Sequence, residues 1–336
     1  MIHLVNQSAE DRLALFHYTA NELKMSEAIV EKDFWVCFML EALFEYSPYK
    51  DYFAFKGGTS LSKSFQLIER FSEDIDLIMD WRKLNYALAE PLENRSNTAQ
   101  DRFKKEINTR CELFLKNEFI PTMQQVLEEL CPKELFTLSI DATDPQTVLV
   151  GYPKNYEDTA IVKEIRLEIG PLAAWTPVSN YALHAYVYDA PDLPFDTKSI
   201  TVPTVEVART FWEKATILHA EAHRPETKPL PARYSRHYYD VYMMQRNLDV
   251  MAAIVENKAL LQKVIDFKQR FYRLSWAQYD KALNGELVLV PTNSATIAGL
   301  KDDYESMKNM LFGEYPTFDE TLEALTNLQV KLNNLL

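Results

Sequence analysis

The 336-residue sequence lacks several features that would each point to a particular class of protein. Its three cysteines, Cys37, Cys111 and Cys131, lie far apart with no C-x-x-C pair, which argues against a disulfide framework or a zinc site. The polar, acidic start of the chain is not typical of a signal peptide. The longest apolar run, 34–40, is far shorter than the roughly 20 residues of a membrane span. We therefore expect a cytoplasmic protein that does not enter a membrane.

Positive charge is also scarce, because 36 Lys and Arg residues stand against 49 Asp and Glu residues, for a formal net charge of −13. Proteins that coat nucleic acid by neutralising its phosphates are usually basic, so the composition disfavours that class. A local basic patch that contacts one RNA end is compatible with this charge, and so is a protein target.

Hydrophobic periodicity divides the chain into a mixed part and a helical part. Strands are predicted over 52–55, 74–79, 135–140, 146–151, 161–169, 183–188 and 199–204, and helices over 8–46, 59–70 and 101–130. After Pro203 the pattern is helical, with a proline-rich linker at 225–234. We therefore predict an α+β fold, with a mixed sheet flanked by helices in a catalytic domain over 1–200 and a helical domain over 201–336.

Glycine is rare, with seven residues in the chain, yet Gly57 and Gly58 are adjacent between a predicted strand and a predicted helix. Glycines at such a junction let the backbone turn sharply and approach a ligand closely. The N–H groups that begin the following helix suit a phosphate. Thr59, Ser60 and Lys63 join the two glycines as candidate nucleotide contacts, although a Gly-Gly pair is also compatible with a plain turn.

The segment Asp74-Ile-Asp76-Leu places two carboxylates on the same face of a predicted strand. Two like charges in this arrangement are unfavourable unless a cation lies between them. Mg²⁺ prefers oxygen ligands and often completes its shell with substrate phosphates, so Asp74, Asp76 and a triphosphate would form a complete site. The alternative is a solvent-facing edge strand.

Glu168 is the candidate for a third carboxylate ligand, which would permit a two-metal arrangement. It lies on the polar face of the alternating segment 161–169, where Glu164 is the competing candidate. An ion pair between Glu168 and Arg166 is the alternative explanation.

Two further candidates lie in the helical part of the chain. Lys214 interrupts an apolar row of the predicted helix 205–222, so it should reach the helix edge or meet a buried anion. That anion is either a triphosphate or a carboxylate such as Asp240. Arg236 lies in a segment rich in arginine and tyrosine, 233–240, and either contacts phosphate or forms a surface pair with Asp240.

The order of these motifs resembles that of a known family. F-K-G-G-T-S-L-S-K (55–63) followed by R-F-S-E-D-I-D-L (70–77) resembles the first motif of the AbiEii/AbiGii-type toxin nucleotidyltransferases. V-E-K-D-F-W-V (30–36), R-T-F-W-E-K-A-T-I-L-H (209–219) and R-H-Y-Y-D (236–240) resemble that family too. The resemblance therefore covers roughly residues 30 to 240.

This resemblance implies a DNA-polymerase-β-like nucleotidyltransferase fold, an NTP substrate, Mg²⁺ as cofactor and a cognate antitoxin as possible partner. It implies that Gly57 and Gly58 form the glycine turn and that Asp74 and Asp76 bind the metal. It also implies that nucleotide phosphates bind Lys214. Asp240 would be the acid of the last motif, and Glu168 matches the family through a more generic strand pattern. The gap from Gly58 to Asp74 is slightly longer than is usual in the wider superfamily.

We therefore predict a Mg²⁺-dependent enzyme that transfers an NMP from an NTP to an acceptor hydroxyl at an RNA or tRNA end. Its biological role would be that of the toxin in an abortive-infection or toxin–antitoxin system. A protein acceptor and a non-catalytic nucleotide-binding module of the same fold are the alternatives. The predicted catalytic residues are Asp74, Asp76, Glu168, Lys214 and Asp240, with assistance from Lys63 or Arg236.

Overall fold

The computed structural model describes residues 1–72, 74–158, 161–173, 176–313 and 315–336. The chain divides into two compact units. The first unit comprises residues 1–64 and 71–204, and the second comprises residues 65–70 and 205–336. The roles assigned to the predicted domains 1–200 and 201–336 stay predictions.

A mixed β-sheet forms the centre of the first unit, and the described residues contribute seven strands to it in the order β3-β4-β5-β2-β1-β7-β6. The strands are β1 (Phe53–Lys56), β2 (Asp74–Met79), β3 (Thr137–Ile140), β4 (Thr147–Gly151), β5 (Ile165–Gly170), β6 (Val178–Leu183) and β7 (Ile200–Val205). Strand β2 is antiparallel to β1 and parallel to β5. β1 is parallel to β7, and β4 is antiparallel to both β3 and β5. The predicted α+β class, with a mixed sheet and flanking helices, is confirmed.

Helices accompany the sheet and make up the second unit. Those of the first unit are α1 (Ile2–Val5), α2 (Ala9–Leu23), α3 (Glu27–Glu41), α4 (Gly57–Lys63), α5 (Asn97–Phe114) and α6 (Ile120–Leu130). Those of the second unit are α7 (Val207–Ala222), α8 (Ser235–Gln245), α9 (Leu248–Glu256), α10 (Leu260–Phe271), α11 (Tyr279–Leu283), α12 (Ser294–Ser306) and α13 (Phe318–Asn333). Helix α7 packs against α8, α9, α10 and α11, and α8 also packs against α12 and α13.

Strands β2 and β5 have the alternating burial that their sequences predict. Ile75 and Leu77 of β2 are buried, and so are Ile165, Leu167 and Ile169 of β5. Each such apolar side chain contributes roughly 1.5–3 kcal/mol through its burial. Because successive side chains of a strand point to opposite faces, this burial fixes which face carries the polar residues of β2 and β5.

Three predicted elements differ from the structure, and one of them is the strand predicted over 161–169, which begins only at Ile165. The strand predicted over 183–188 is wrong, since β6 ends at Leu183 and Tyr186–Tyr188 forms a short 3₁₀ turn. The N–H of Tyr186 donates to the Asp33 carboxylate at 2.7 Å, so a buried side chain takes this backbone donor. The helix predicted over 59–70 ends at Lys63, and Arg70 instead forms an isolated β-bridge with Leu311 in the second unit.

The length and apolar character of the helices test the prediction that the chain does not enter a membrane. Across the part of the chain that the structure describes, no helix combines the length and the apolar character needed to span a membrane.

Candidate active site

Asp74 and Asp76 lie on the same face of β2, and both are half-exposed. In the parallel register between β2 and β5, Asp74 is opposite Arg166 and Asp76 is opposite Glu168. Directly opposed residues on neighbouring strands point to the same side of a sheet. The structure therefore brings together Asp74, Asp76 and Glu168, the three carboxylates that the sequence analysis selected as metal ligands.

Gly57 approaches the acidic pair closely. It follows β1 directly and begins α4, so the chain turns at this residue with a φ of +79°, a backbone conformation that side-chain-bearing residues rarely adopt. A Cβ atom at this position would lie only 2.5 Å from Cγ of Asp76. The glycine is thus required both by the turn and by the space that the Asp76 carboxylate occupies.

The helix that follows Gly57 is attached to β2 by hydrogen bonds. The Thr59 hydroxyl donates to the backbone carbonyl of Ser72 at 3.1 Å and also to that of Asp74. The Ser60 hydroxyl donates to the Gly57 carbonyl at 2.9 Å. The Thr59 hydroxyl therefore holds α4 against the start of β2, whereas the Ser60 hydroxyl bonds within α4 itself. The predicted contact of both residues with a nucleotide stays a prediction.

Burial and neighbouring carboxylates together raise the pKa of Glu168. Burial is the largest cause, and the negative charges of Asp76 and Asp74 add to it, so the pKa of Glu168 rises to about 7. Arg166 opposes this shift, because its Nε lies 3.7 Å from Oε1 of Glu168 and 3.9 Å from Oδ1 of Asp74. Bringing these carboxylates together therefore costs free energy that a cation would recover.

Arg166 has a closer partner in Asp141, whose Oδ2 lies 2.6 Å from Nη1 of the arginine. The Thr143 N–H and this guanidinium hold the pKa of Asp141 well below its usual range. The pairing of Glu168 with Arg166, which was the alternative to metal binding, is thus present only as a long contact, and the shortest ion pair of this arginine is with Asp141.

The residues on this face suit a magnesium ion. Carboxylate oxygens on two neighbouring strands are the hard ligands that Mg²⁺ prefers, and substrate phosphates commonly complete its shell. Because Gly57 has no side chain, no side-chain atom of this residue takes the space beside the Asp76 carboxylate. Among the described residues no group of three or more His, Cys, Asp and Glu side chains is already arranged to hold a metal ion. The carboxylates therefore suit a metal site whose coordination the phosphates of a substrate would complete.

Lys63 has a partner that the sequence analysis did not anticipate. Its Nζ lies 2.7 Å from Oδ1 of Asp33, and both side chains are almost fully buried. The same ammonium group lies 3.7 Å from the centre of the Tyr186 ring. Protein groups thus compensate the charge that was predicted to assist phosphate binding, and that role of Lys63 stays a prediction.

In the second unit, Asp240 is fully buried and accepts hydrogen bonds from two basic residues. Arg70 donates from Nε at 2.7 Å and from Nη2 at 2.9 Å, and Nζ of Lys214 lies 2.7 Å from Oδ2. Burial alone would raise the pKa of Asp240, but Arg70 and Lys214 outweigh it and hold this pKa well below its usual range. The carboxylate alternative considered for Lys214 is therefore present in the structure.

Arg70 is the residue of this cluster that sequence reasoning missed. It belongs to the motif R-F-S-E-D-I-D-L, but its side chain was given no role because it lies four positions before Asp74 and 170 positions before its partner, Asp240. The signal that could have found it was the need for a buried Asp240 to have more than one cationic partner.

The second unit also has basic groups beyond those that Asp240 compensates. Arg236 is half-buried and has no ion-pair partner within the described ranges. Burial is the main cause that lowers the pKa of both Lys214 and His237, and the charge of Arg236 adds to it. Nδ1 of His237 is buried and accepts no hydrogen bond from any residue that the structure describes. The positive charge of Arg236 suits an anionic ligand.

Sequence comparison shows the family to which the chain belongs. Residues 39–324 match the family described as the nucleotidyl transferase AbiEii toxin of type IV toxin–antitoxin systems. The chain belongs to this family of nucleotidyltransferases, so the resemblance drawn from its motifs and its prediction as an enzyme are confirmed.

Comparison with individual proteins is less informative than the family match. No curated protein matches the chain. Among solved structures the chain is similar to MenT4, a nucleotidyltransferase toxin from Mycobacterium tuberculosis H37Rv, with 15% sequence identity and a TM-score of 0.48. That similarity covers 96% of this chain and 90% of MenT4.

Proposed function

We propose that the protein transfers an NMP from an NTP to an acceptor hydroxyl, with Mg²⁺ held by Asp74 and Asp76. The observation that carries this proposal is the position of Asp76 directly against Gly57, with Asp74 and Glu168 on the same face of the sheet. A carboxylate pair beside a glycine turn offers both a metal site and a backbone surface open to phosphate.

In the proposed reaction the acceptor oxygen forms a bond to the α-phosphorus, and the bond from that phosphorus to pyrophosphate breaks. Mg²⁺ bound at the site would neutralise phosphate charge and orient the attacking and leaving oxygens. Asp74 and Asp76 would present their oxygens to it. Glu168 would complete a second metal site or accept the proton of the acceptor hydroxyl.

Several other residues would bind the nucleotide. Gly57 and Gly58, with Thr59 and Ser60, would line the phosphate-binding turn. In the second unit Lys214 and Arg236 would supply positive charge to the phosphates, and Asp240 would hold the Lys214 ammonium in place. Lys63 is not included among these contacts, because Asp33 already pairs with it.

For the acceptor we propose an RNA end, such as that of a tRNA, and for the biological role a toxin controlled by a cognate antitoxin. Membership of a nucleotidyl transferase toxin family supports the role. The formal net charge of −13 keeps a protein acceptor as the competing possibility.

The test is transfer from each of four labelled NTPs into separate pools of cellular RNA and protein, with and without Mg²⁺. We expect label in the RNA pool, and Asp76→Ala should abolish it. This variant should stay folded, because Asp76 is half-exposed and its charge repels Glu168. Asp51→Ala, which removes an exposed carboxylate of the same unit, is the matched control.

Label in the protein pool alone would replace RNA by a protein acceptor. Undiminished transfer by Asp76→Ala would refute the assignment of the metal site.

A further inference from the structure

Helix α4 joins the glycine turn to a buried ion pair. The helix begins at Gly57 and ends at Lys63, whose ammonium pairs with Asp33 of α3 at 2.7 Å. Asp33 and Lys63 are 2% and 7% exposed, so neither charge is screened by solvent. Asp33 also accepts the N–H of Tyr186 at 2.7 Å through its other oxygen, which fixes the carboxylate in one orientation.

A gain in stability does not by itself explain why the Asp33–Lys63 ion pair is buried. Removing two charges from water costs several kcal/mol per ion, and an apolar pair of similar volume is often as stable or more so. What a buried pair with a second hydrogen bond does supply is a defined position for the groups that carry it. Burial raises the pKa of Asp33 while Lys63 opposes that shift, as expected of two groups that depend on each other.

Helix α4 needs such a constraint because it is too short to be stable by itself. Its seven residues are fewer than the roughly 12–15 that an isolated helix requires for marginal stability. Its position therefore depends on tertiary contacts at both ends. At its start Thr59 donates to the carbonyls of Ser72 and Asp74, and at its end Lys63 binds Asp33.

We propose that Asp33 and Lys63 are positioning residues: their buried pair fixes α4 along its axis so that Gly57 stays against Asp76. Lys63 does not contact the nucleotide. The V-E-K-D motif at 30–33 thereby acts on the site through the helix that follows the glycine turn. This inference rests on the proposed function, in which Asp76 is a metal ligand.

The experiment measures kcat and the KM for NTP in Lys63→Met, Asp33→Asn and the double variant, at a temperature where each is folded by circular dichroism. Positioning predicts a fall in kcat of about 10- to 100-fold, because a misplacement of roughly 1 Å can cost about 100-fold. The KM for NTP should change by less than about threefold, and the double variant should lose no more kcat than the worse single variant.

A phosphate-binding Lys63 predicts a different pattern. Lys63→Met would then raise the KM for NTP, while Asp33→Asn would leave KM unchanged or lower it by releasing the ammonium. That result would overturn the proposal, and so would unchanged kcat in variants that have only lost thermal stability. Glu41→Gln is the matched control, since it breaks another buried ion pair of the first unit, between Glu41 and the N-terminal ammonium at 2.8 Å.

Hydrogen–deuterium exchange provides a readout that does not depend on turnover. Both single variants should exchange faster in peptides that cover residues 57–63, whereas Glu41→Gln should leave those peptides unchanged. Wild-type protein without NTP turnover would contradict the proposed function, and the exchange result would still decide the positioning role. Unchanged exchange at 57–63 in both variants would overturn that role.

Discussion

Replacing Gly57 by Ala separates backbone strain from damage to the acidic pair. At a φ of +79° an L-residue costs about 1–2 kcal/mol relative to a right-handed conformation, and the stiffer unfolded chain offsets about 0.4–1 kcal/mol of this. The net loss of stability from strain is therefore about 1 kcal/mol. Because domains of this kind are stable by roughly 5–15 kcal/mol, the variant should remain folded.

The local effect is larger than the effect on stability. The new methyl group would lie 2.5 Å from Cγ and 2.9 Å from Cβ of Asp76, whereas carbon atoms in contact are separated by about 3.5–4.0 Å. Asp76 or the turn must therefore move by roughly 1 Å, and a displacement of that size can lower turnover by about 100-fold. We expect such a loss in Gly57→Ala, together with weaker Mg²⁺-dependent NTP binding.

Gly285 provides the control for strain. Its φ is +78°, almost that of Gly57, but an added Cβ would meet only the Asn333 carbonyl oxygen, at 3.2 Å. Gly285→Ala should therefore lose similar stability and keep its turnover. The assay is nucleotide transfer from labelled NTP, normalised to folded protein, alongside urea unfolding of both variants. Turnover in Gly57→Ala within about threefold of Gly285→Ala, against the about 100-fold loss expected from misplacement, would refute the role of the contact between Gly57 and Asp76.

Two further predictions concern the second unit. Asp240→Asn should lower the free energy of unfolding by about 3–5 kcal/mol, because it removes the buried negative charge that pairs with both Arg70 and Lys214. Asp319→Asn, which breaks an exposed pair with Lys301, should cost less than about 1 kcal/mol, and equal losses in urea unfolding would contradict the importance of burial. His219 is buried, its Nδ1 accepts from the Val288 N–H at 2.9 Å, and burial lowers its pKa from 6.5 to about 4. The unfolded chain binds this proton more tightly than the folded protein does. Above pH 6.5 His219 is neutral in both states, so its titration does not reduce the free energy of unfolding. As the pH drops from 6.5 to 4, the free energy of unfolding should fall by about 3 kcal/mol. His219→Asn keeps an acceptor and removes the titration, so its unfolding free energy should depend less steeply on pH between 6.5 and 4. A slope equal to that of the wild type would contradict this assignment.

Much of the first unit could be predicted from periodicity. Alternation in β2 and β5 identifies Asp74, Asp76 and Glu168 as polar-face residues, because one buried face determines the other. Adjacent glycines in a glycine-poor chain mark the turn at Gly57 for a similarly local reason, since a positive φ favours glycine.

Partners of buried charges could not be predicted in this way. Lys63 and Arg236 look alike in the sequence as cations near candidate motifs, but Lys63 pairs with Asp33 and Arg236 has no such partner among the described residues. The 3₁₀ turn at Tyr186 was missed for the same reason, because its N–H is taken by a side chain 153 residues earlier in the chain.

The amino-acid sequence by itself determined the acidic strand and the glycine turn, because side-chain alternation and backbone freedom act over a few residues. It also indicated the class of protein, through the resemblance of its ordered motifs to those of a known family. Tertiary structure decided which strands are neighbours, so that Glu168 lies opposite Asp76, and which carboxylate each buried cation meets. These pairings depend on the free-energy cost of burying charge, and only the folded chain specifies which charges are buried together.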